Sequence, residues 1–243
     1  MMNQESSKGR EVHTMEEMKS VFVNGFFLHY LEAGRGEPVV LVHGNGEDHT
    51  MFQTEIAQLT AAGYRVYALD SRGHGANEPV KEYHYADMAE DVYAFIQALG
   101  LTQPAYYGHS DGGILGLLLS IRHPGVLSRM AVSGANLSPD GLQESFLQEY
   151  GEKNRLCPQP LFDLMLTEPH IDPEELKKIE IPVLVTAGEH DLVLQRETEK
   201  IASSLPNSSL IILPGENHES YIAGSETMGK LLIDFFGKWK KEP

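Results

Sequence analysis

The chain predicts an α/β fold: a mostly parallel central sheet of about eight strands, flanked by helices on both faces. Two observations carry that expectation. Short runs rich in β-branched or aromatic residues, bounded by Gly, Pro or Asp, alternate with longer segments whose apolar residues recur at helical spacing. Each such strand is followed by a glycine-bearing loop and then a helix, the order that parallel strands need for their crossovers. With 243 residues, 41% of them hydrophobic and 22% charged, the chain can bury one large core.

Taken in order, Met1–Lys19 is polar and mixed in charge, and reads as a flexible arm before a domain over 20–243. Met15–Met18 is its one candidate for a helical turn. Ser20–Val23 and Phe26–Glu32 are apolar runs on either side of Asn24-Gly25, a dipeptide whose tolerance of positive φ favours a two-residue hairpin turn. The parallel strands are expected at Val39–Val42, Arg65–Leu69, Ala105–Tyr107, Arg129–Val132, Val183–Ala187 and Leu210–Leu213. Helices are expected at Met51–Ala62, Ala86–Leu99, Ile114–His123, Gln195–Leu205 and Ser225–Lys240. Between Ser138 and Ile179 the rhythm breaks into helical pieces at Gly141–Lys153, Leu161–Leu166 and Pro173–Ile179, with no strand between them. This stretch, at about 138–179, is expected to be a short helical lid over the sheet.

Bulk properties exclude some functions. A formal charge of −16 repels phosphate backbones and anionic headgroups, which argues against nucleic-acid and membrane partners. No apolar run approaches the roughly 20 residues of a spanning helix. The single cysteine, Cys157, cannot form an intramolecular disulfide, and Met1–Lys19 has no apolar signal core, so a cytoplasmic setting is expected. Neither H-x-x-x-H nor H-x-H-x-D-H spacing occurs, and neither metal nor cofactor is expected.

The chemistry-bearing motif is Gly108-His109-Ser110-Asp111-Gly112-Gly113, which follows an expected strand and opens an expected helix. That is the context a nucleophile elbow needs, with Gly108 and Gly112 leaving room for the sharp turn. A serine hydroxyl needs a base within hydrogen-bond reach, and the base needs a group that fixes its tautomer. Asp191 follows the strand Val183–Ala187, and His218 follows Leu210–Leu213. Ser110, Asp191 and His218 therefore share the carboxyl edge of one sheet, where open α/β folds place their ligands. Glu189 is the alternative acid. His43 is expected to hydrogen-bond the loop after the first parallel strand, and Asp70 and Arg72 to form a structural ion pair.

With His43-Gly44-Asn45-Gly46, Asp70-Ser71-Arg72-Gly73-His74-Gly75, Gly108–Gly113, Gly188–Asp191 and Asn217-His218, the chain resembles the α/β-hydrolase superfamily from Val21 to about Lys240. The resemblance implies a serine hydrolase with Ser110 as nucleophile, His218 as base and Asp191 as orienter. It also implies an oxyanion hole made by the backbone N–H groups of Asn45 and Asp111. A small carboxylic ester is the expected substrate, with thioester or amide cleavage using the same parts. Perhydrolase or carbon–carbon bond hydrolase activity and a slow-turnover signalling receptor are the alternatives on this scaffold. Phe146, Phe162 and Met165, with Leu147, Leu161 and Leu166, are candidates for the apolar pocket wall. Ser-Asp-Gly-Gly at the elbow resembles that of amino-acid-ester hydrolases of the valacyclovir hydrolase type, which implies a carboxylate, Asp111, near a substrate amine; the alternative is that Asp111 pairs locally.

Overall fold

Asn24 and Gly25 sit at φ +46° and +91°, the two positive angles of a tight hairpin turn. They join β1 (Glu17–Val23) to β2 (Phe26–Gly34) in an antiparallel pair. The computed structural model describes residues 16–238, so the expected arm up to Met15 and the last residues of the final expected helix lie outside it. Glu17–Lys19 correct the expected boundary: they are strand, neither arm nor helical turn. The ladder pairs Glu17 with Glu32 and Met18 with Leu31, and Lys19 Nζ lies 3.1 Å from Glu32 Oε2. Strand pairing with ion contacts leaves no apolar period to read.

The remaining strands are β3 (Glu37–Val42), β4 (Tyr64–Leu69), β5 (Ala105–His109), β6 (Arg129–Ser133), β7 (Val183–His190) and β8 (Ser208–Asn217). They lie in the order β1-β2-β4-β3-β5-β6-β7-β8. β2 joins β4 antiparallel, and every later junction is parallel. The helices are α1 (Gln53–Ala61), α2 (Tyr85–Ala98), α3 (Asp111–Arg122), α4 (Glu144–Leu156), α5 (Pro160–Thr167), α6 (Gln195–Ser204) and α7 (Thr227–Gly237).

Alternate residues of the central strands feed two cores. Val40 and Val42 pack with Phe95 of α2 and Leu117 of α3, while Val39 and Leu41 pack with Leu59 of α1 and Phe236 of α7. Successive strand side chains point to opposite faces, and with both faces covered the strand reads as a continuous apolar run. Each such side chain contributes about 1.5–3 kcal/mol by leaving water. β7 and β8 run further than their apolar runs predict. β8 is the outer strand and partly exposed, so its ends carry polar residues such as Ser208, Ser209 and Asn217. Gly188–His190, expected as loop, belong to β7, with a register shift between Gly188 and His190.

The segment over the sheet contains α4 and α5, flanked by 3-10 turns at Pro139–Gly141 and Pro173–Lys178. No residue of α4 is buried, whereas α5 buries Leu164. Among the described residues no helix is long and apolar enough to cross a membrane.

Candidate active site

Ser110 lies between β5 and α3 at φ +51° and ψ −115°, a conformation that a residue with a Cβ holds only when its surroundings impose it. The Ser110 N–H donates to Ser133 O at 2.7 Å, which ties the turn to the end of β6. A Cβ on Gly108 would fall 2.1 Å from Gly112 O, as the elbow reading expects. Gly112 serves a different clearance, because its Cβ would fall 1.9 Å from Val42 O on the neighbouring strand.

His218 follows β8, and its Nδ1 donates to Asp191 Oδ1 at 2.6 Å. Asp191 is buried, and its carboxylate also accepts the N–H groups of Val193 at 2.9 Å and Gly188 at 3.3 Å. Glu189 faces away: it is exposed and accepts the Gly215 N–H at 2.8 Å. The geometry thus selects Asp191 as the partner of His218, and among the described residues Nε2 has no hydrogen-bond partner. Gly134, at φ +59°, makes room for that ring, since its Cβ would lie 2.6 Å from His218 Cε1.

Ser110 and His218 line one cavity of about 330 Å³. Its wall includes Phe146, Leu161, Phe162 and Met165 from the lid, but not the expected Leu147 and Leu166. Asn45 and Asp111 also line it, and among the described residues neither backbone N–H has a protein acceptor. The Asn45 N–H belongs to the Gly44–Asn45 peptide, whose carbonyl accepts from His43 Nδ1 at 2.7 Å. His43 Nε2 accepts the Ser71 N–H at 2.9 Å, which fixes the tautomer that donates from Nδ1. Burial pushes His43 down to about 4, so the ring stays neutral. A trans peptide with its carbonyl held on one side presents its N–H on the other.

The Asp111 carboxylate pairs locally, and the residue is part of the cavity lining. Oδ1 accepts from Tyr85 OH at 2.7 Å and Oδ2 from Asn45 Nδ2 at 3.1 Å, and burial raises its pKa. The expected Asp70–Arg72 pair does not form. Arg72 makes a two-point contact with Asp91 of α2 at 2.7 and 2.8 Å, and Asp70 accepts from His49 N, His49 Nδ1 and Ala76 N. Asp70 is enclosed by backbone donors, whereas the longer Arg72 side chain reaches the next helix. Among the described residues, Asp48, His49 and Asp70 alone have ligand atoms close enough to hold a metal, all within 4.8 Å, and they lie outside the cavity lining.

Several lining residues escaped the sequence reading. Glu47 accepts the Gly44 N–H at 2.8 Å, and burial raises it to about 7. His109 is buried with its ring centroid 4.7 Å from that of His218, and burial drives its pKa well down. Tyr85 and Glu168 also line the cavity. Glu47 carries a local signal as the residue closing the Gly44–Glu47 loop, and His109 as the neighbour of Ser110 in the elbow motif; Tyr85 and Glu168 arrive from distant elements.

Comparison with known proteins agrees with this architecture. Residues 37–154 match the family model of the alpha/beta hydrolase fold. The human serine hydrolase BPHL is 26% identical over 250 residues, an alignment covering 88% of this chain and 84% of that protein. Bifunctional epoxide hydrolase 2 of Rattus norvegicus is 30% identical over 157 residues, covering 63% of this chain and 28% of that one. A solved meta-cleavage product hydrolase from Pseudomonas fluorescens, complexed with acetates, superimposes with a TM-score of 0.78 at 21% identity, covering 91% of this chain and 98% of that one. The chain has the α/β-hydrolase fold that this family model describes, and the proteins it resembles include hydrolases.

Proposed function

We propose that the protein is a serine hydrolase that cleaves small carboxylic esters through an acyl-enzyme. The observation that carries this reading is the positive-φ Ser110 at the strand–helix turn, sharing a cavity with a histidine whose other nitrogen is held by a buried carboxylate. In the proposed cycle His218 Nε2 takes the Ser110 proton as Oγ attacks the ester carbonyl. The Asn45 and Asp111 N–H groups receive the oxyanion, and Asp191 stabilises the imidazolium. His218 then protonates the leaving alcohol. Water enters, gives a proton to the same nitrogen as it attacks the acyl-enzyme, and the intermediate collapses as His218 returns that proton to Ser110 Oγ, freeing the serine and the carboxylic acid. The acting nucleophile is a hydroxyl, so the proposed intermediate is acyl-serine. Single-domain action in the cytoplasm, on a small molecule and without nucleic-acid or membrane partners, completes the reading.

Steady-state turnover on a panel of short-chain esters tests it. We expect continuous turnover that Ser110→Ala abolishes without unfolding the protein. A wild-type protein that reacts once and stalls would instead support the receptor class.

A second feature favours a narrower substrate class. Among the described residues the Asp111 carboxylate accepts only from neutral donors, and the cavity wall holds Glu47, Asp111, Glu168 and Glu219 but no Lys or Arg. A carboxylate beside a developing oxyanion hinders attack unless a cation offsets it, and a substrate ammonium supplies one. Esters of α-amino acids should therefore have higher kcat/KM than their des-amino analogues, and Asp111→Asn should erase that preference. Equal rates for the two classes in the wild type would remove this refinement and leave the esterase reading intact.

A further inference from the structure

The helix α2 begins without a cap of its own: the side chain of His84, its N-cap residue, bonds none of the helix N–H groups. Such groups need an acceptor from elsewhere. Glu168, which immediately follows α5, supplies it. Its Oε2 accepts the Tyr85 N–H at 3.1 Å, and its Oε1 accepts from His84 Nδ1 at 2.7 Å. One carboxylate from 83 residues away thus fixes the first residue of α2.

The buried Tyr85 side chain carries the connection inward, donating from its hydroxyl to Asp111 Oδ1 at 2.7 Å. Asp111 Oδ2 accepts from Asn45 Nδ2 at 3.1 Å, and the same Nδ2 donates to Leu161 O at 3.3 Å, near the start of α5. The hydrogen bonds close a circuit that runs from one end of α5 through Asn45, Asp111, Tyr85 and Glu168 to its other end. Both side chains whose backbone N–H groups form the proposed oxyanion hole are members of it.

We infer that Glu168 is a positioning residue for the oxyanion hole, acting through Tyr85 and Asp111, and that the circuit makes α5 a fixed wall mounted on that machinery. The kinetic part rests on the ester-hydrolase reading; the structural part does not. Groups in one hydrogen-bonded network depart from additivity when removed in pairs, because the first deletion already releases what the second would. A carboxylate that merely shaped the pocket mouth would change KM and would leave the Gly44–Glu47 loop undisturbed. A positioning residue changes kcat and disturbs that loop at a distance.

The experiment compares wild type, Glu168→Ala, Tyr85→Phe and the double variant by amide hydrogen exchange and by ester kinetics. Glu168→Gln, which keeps the shape and one acceptor oxygen, serves as the conservative rescue. We expect Glu168→Ala to speed exchange in residues 43–47 as well as in 160–168, and to lower kcat about tenfold at little change in KM, the scale of a small misplacement of catalytic groups. Glu168→Gln should restore most of both. The double variant should be no worse than its more damaged parent. Unchanged exchange in 43–47, a pure KM effect, or losses that multiply in the double variant would each overturn the inference. If the wild type hydrolyses no ester, the esterase reading fails while the exchange data still decide the circuit. A Glu168→Ala protein that fails to fold leaves Tyr85→Phe, which cuts the Tyr85–Asp111 bond, to decide it by the same exchange criterion.

Discussion

At the scale of single residues, Glu55 on α1 is the most exposed to challenge, because it is fully buried and, among the described residues, neither carboxylate oxygen has a partner beyond its own backbone N–H. Burial raises its pKa from 4.5 to about 8, so at neutral pH the folded protein holds it as the neutral acid. The unfolded chain releases that proton near 4.5, and between the two values the folded state binds more protons. Stability contributed by this site is therefore full below the unfolded value and falls as pH rises toward about 8, beyond which the loss is constant. Inside the window the loss approaches about 1.4 kcal/mol per pH unit. Glu55→Gln should flatten the fall of Tm between pH 5 and 8 relative to the wild type. The slope left in the variant should include that of Glu47, which is raised to about 7 and works in the same direction. Parallel Tm–pH lines for wild type and variant would show that Glu55 is charged or paired in the fold.

At the scale of elements, legibility in the sequence followed burial. Val39–Val42 and Ala105–Tyr107 lie at the centre of the sheet with both faces covered, and their apolar runs mark them without ambiguity. β1 and the ends of β8 lie at the two edges, where polar side chains satisfy the strand and the period disappears. The elbow was legible because its glycines are required by backbone clearances of 2.1 and 1.9 Å. Chain order brought Asp191 and His218 into view, and the 2.6 Å contact between them matches it. Tyr85 and Glu168 were not legible as site residues, since they lie far from the elbow in sequence and nothing local distinguishes a buried tyrosine that reaches Asp111 from one that fills a core. The Asp70–Arg72 pairing failed for a related reason: nearness in sequence suggested it, while the reach of arginine and the position of α2 gave Arg72 to Asp91.

At the scale of the whole molecule, a chain with a net charge of −16 surrounds a cavity whose wall, among the described residues, carries four carboxyl groups and no Lys or Arg. Neutral and cationic esters enter such a field more readily than anions, and a product carboxylate formed inside is repelled outward. The sheet order, the elbow and the Asp191–His218 contact place all the proposed catalytic groups on one edge of one sheet. The central claim is that Ser110 alone among the serines is an activated nucleophile, because the elbow places it in the cavity that His218 also lines. Reaction with a fluorophosphonate, followed by peptide mass mapping, measures this most directly. The account predicts one adduct per chain, located at Ser110, absent in Ser110→Ala and strongly slowed in His218→Ala. A wild-type protein that takes no adduct, or one whose adduct persists in Ser110→Ala at another residue, would contradict it.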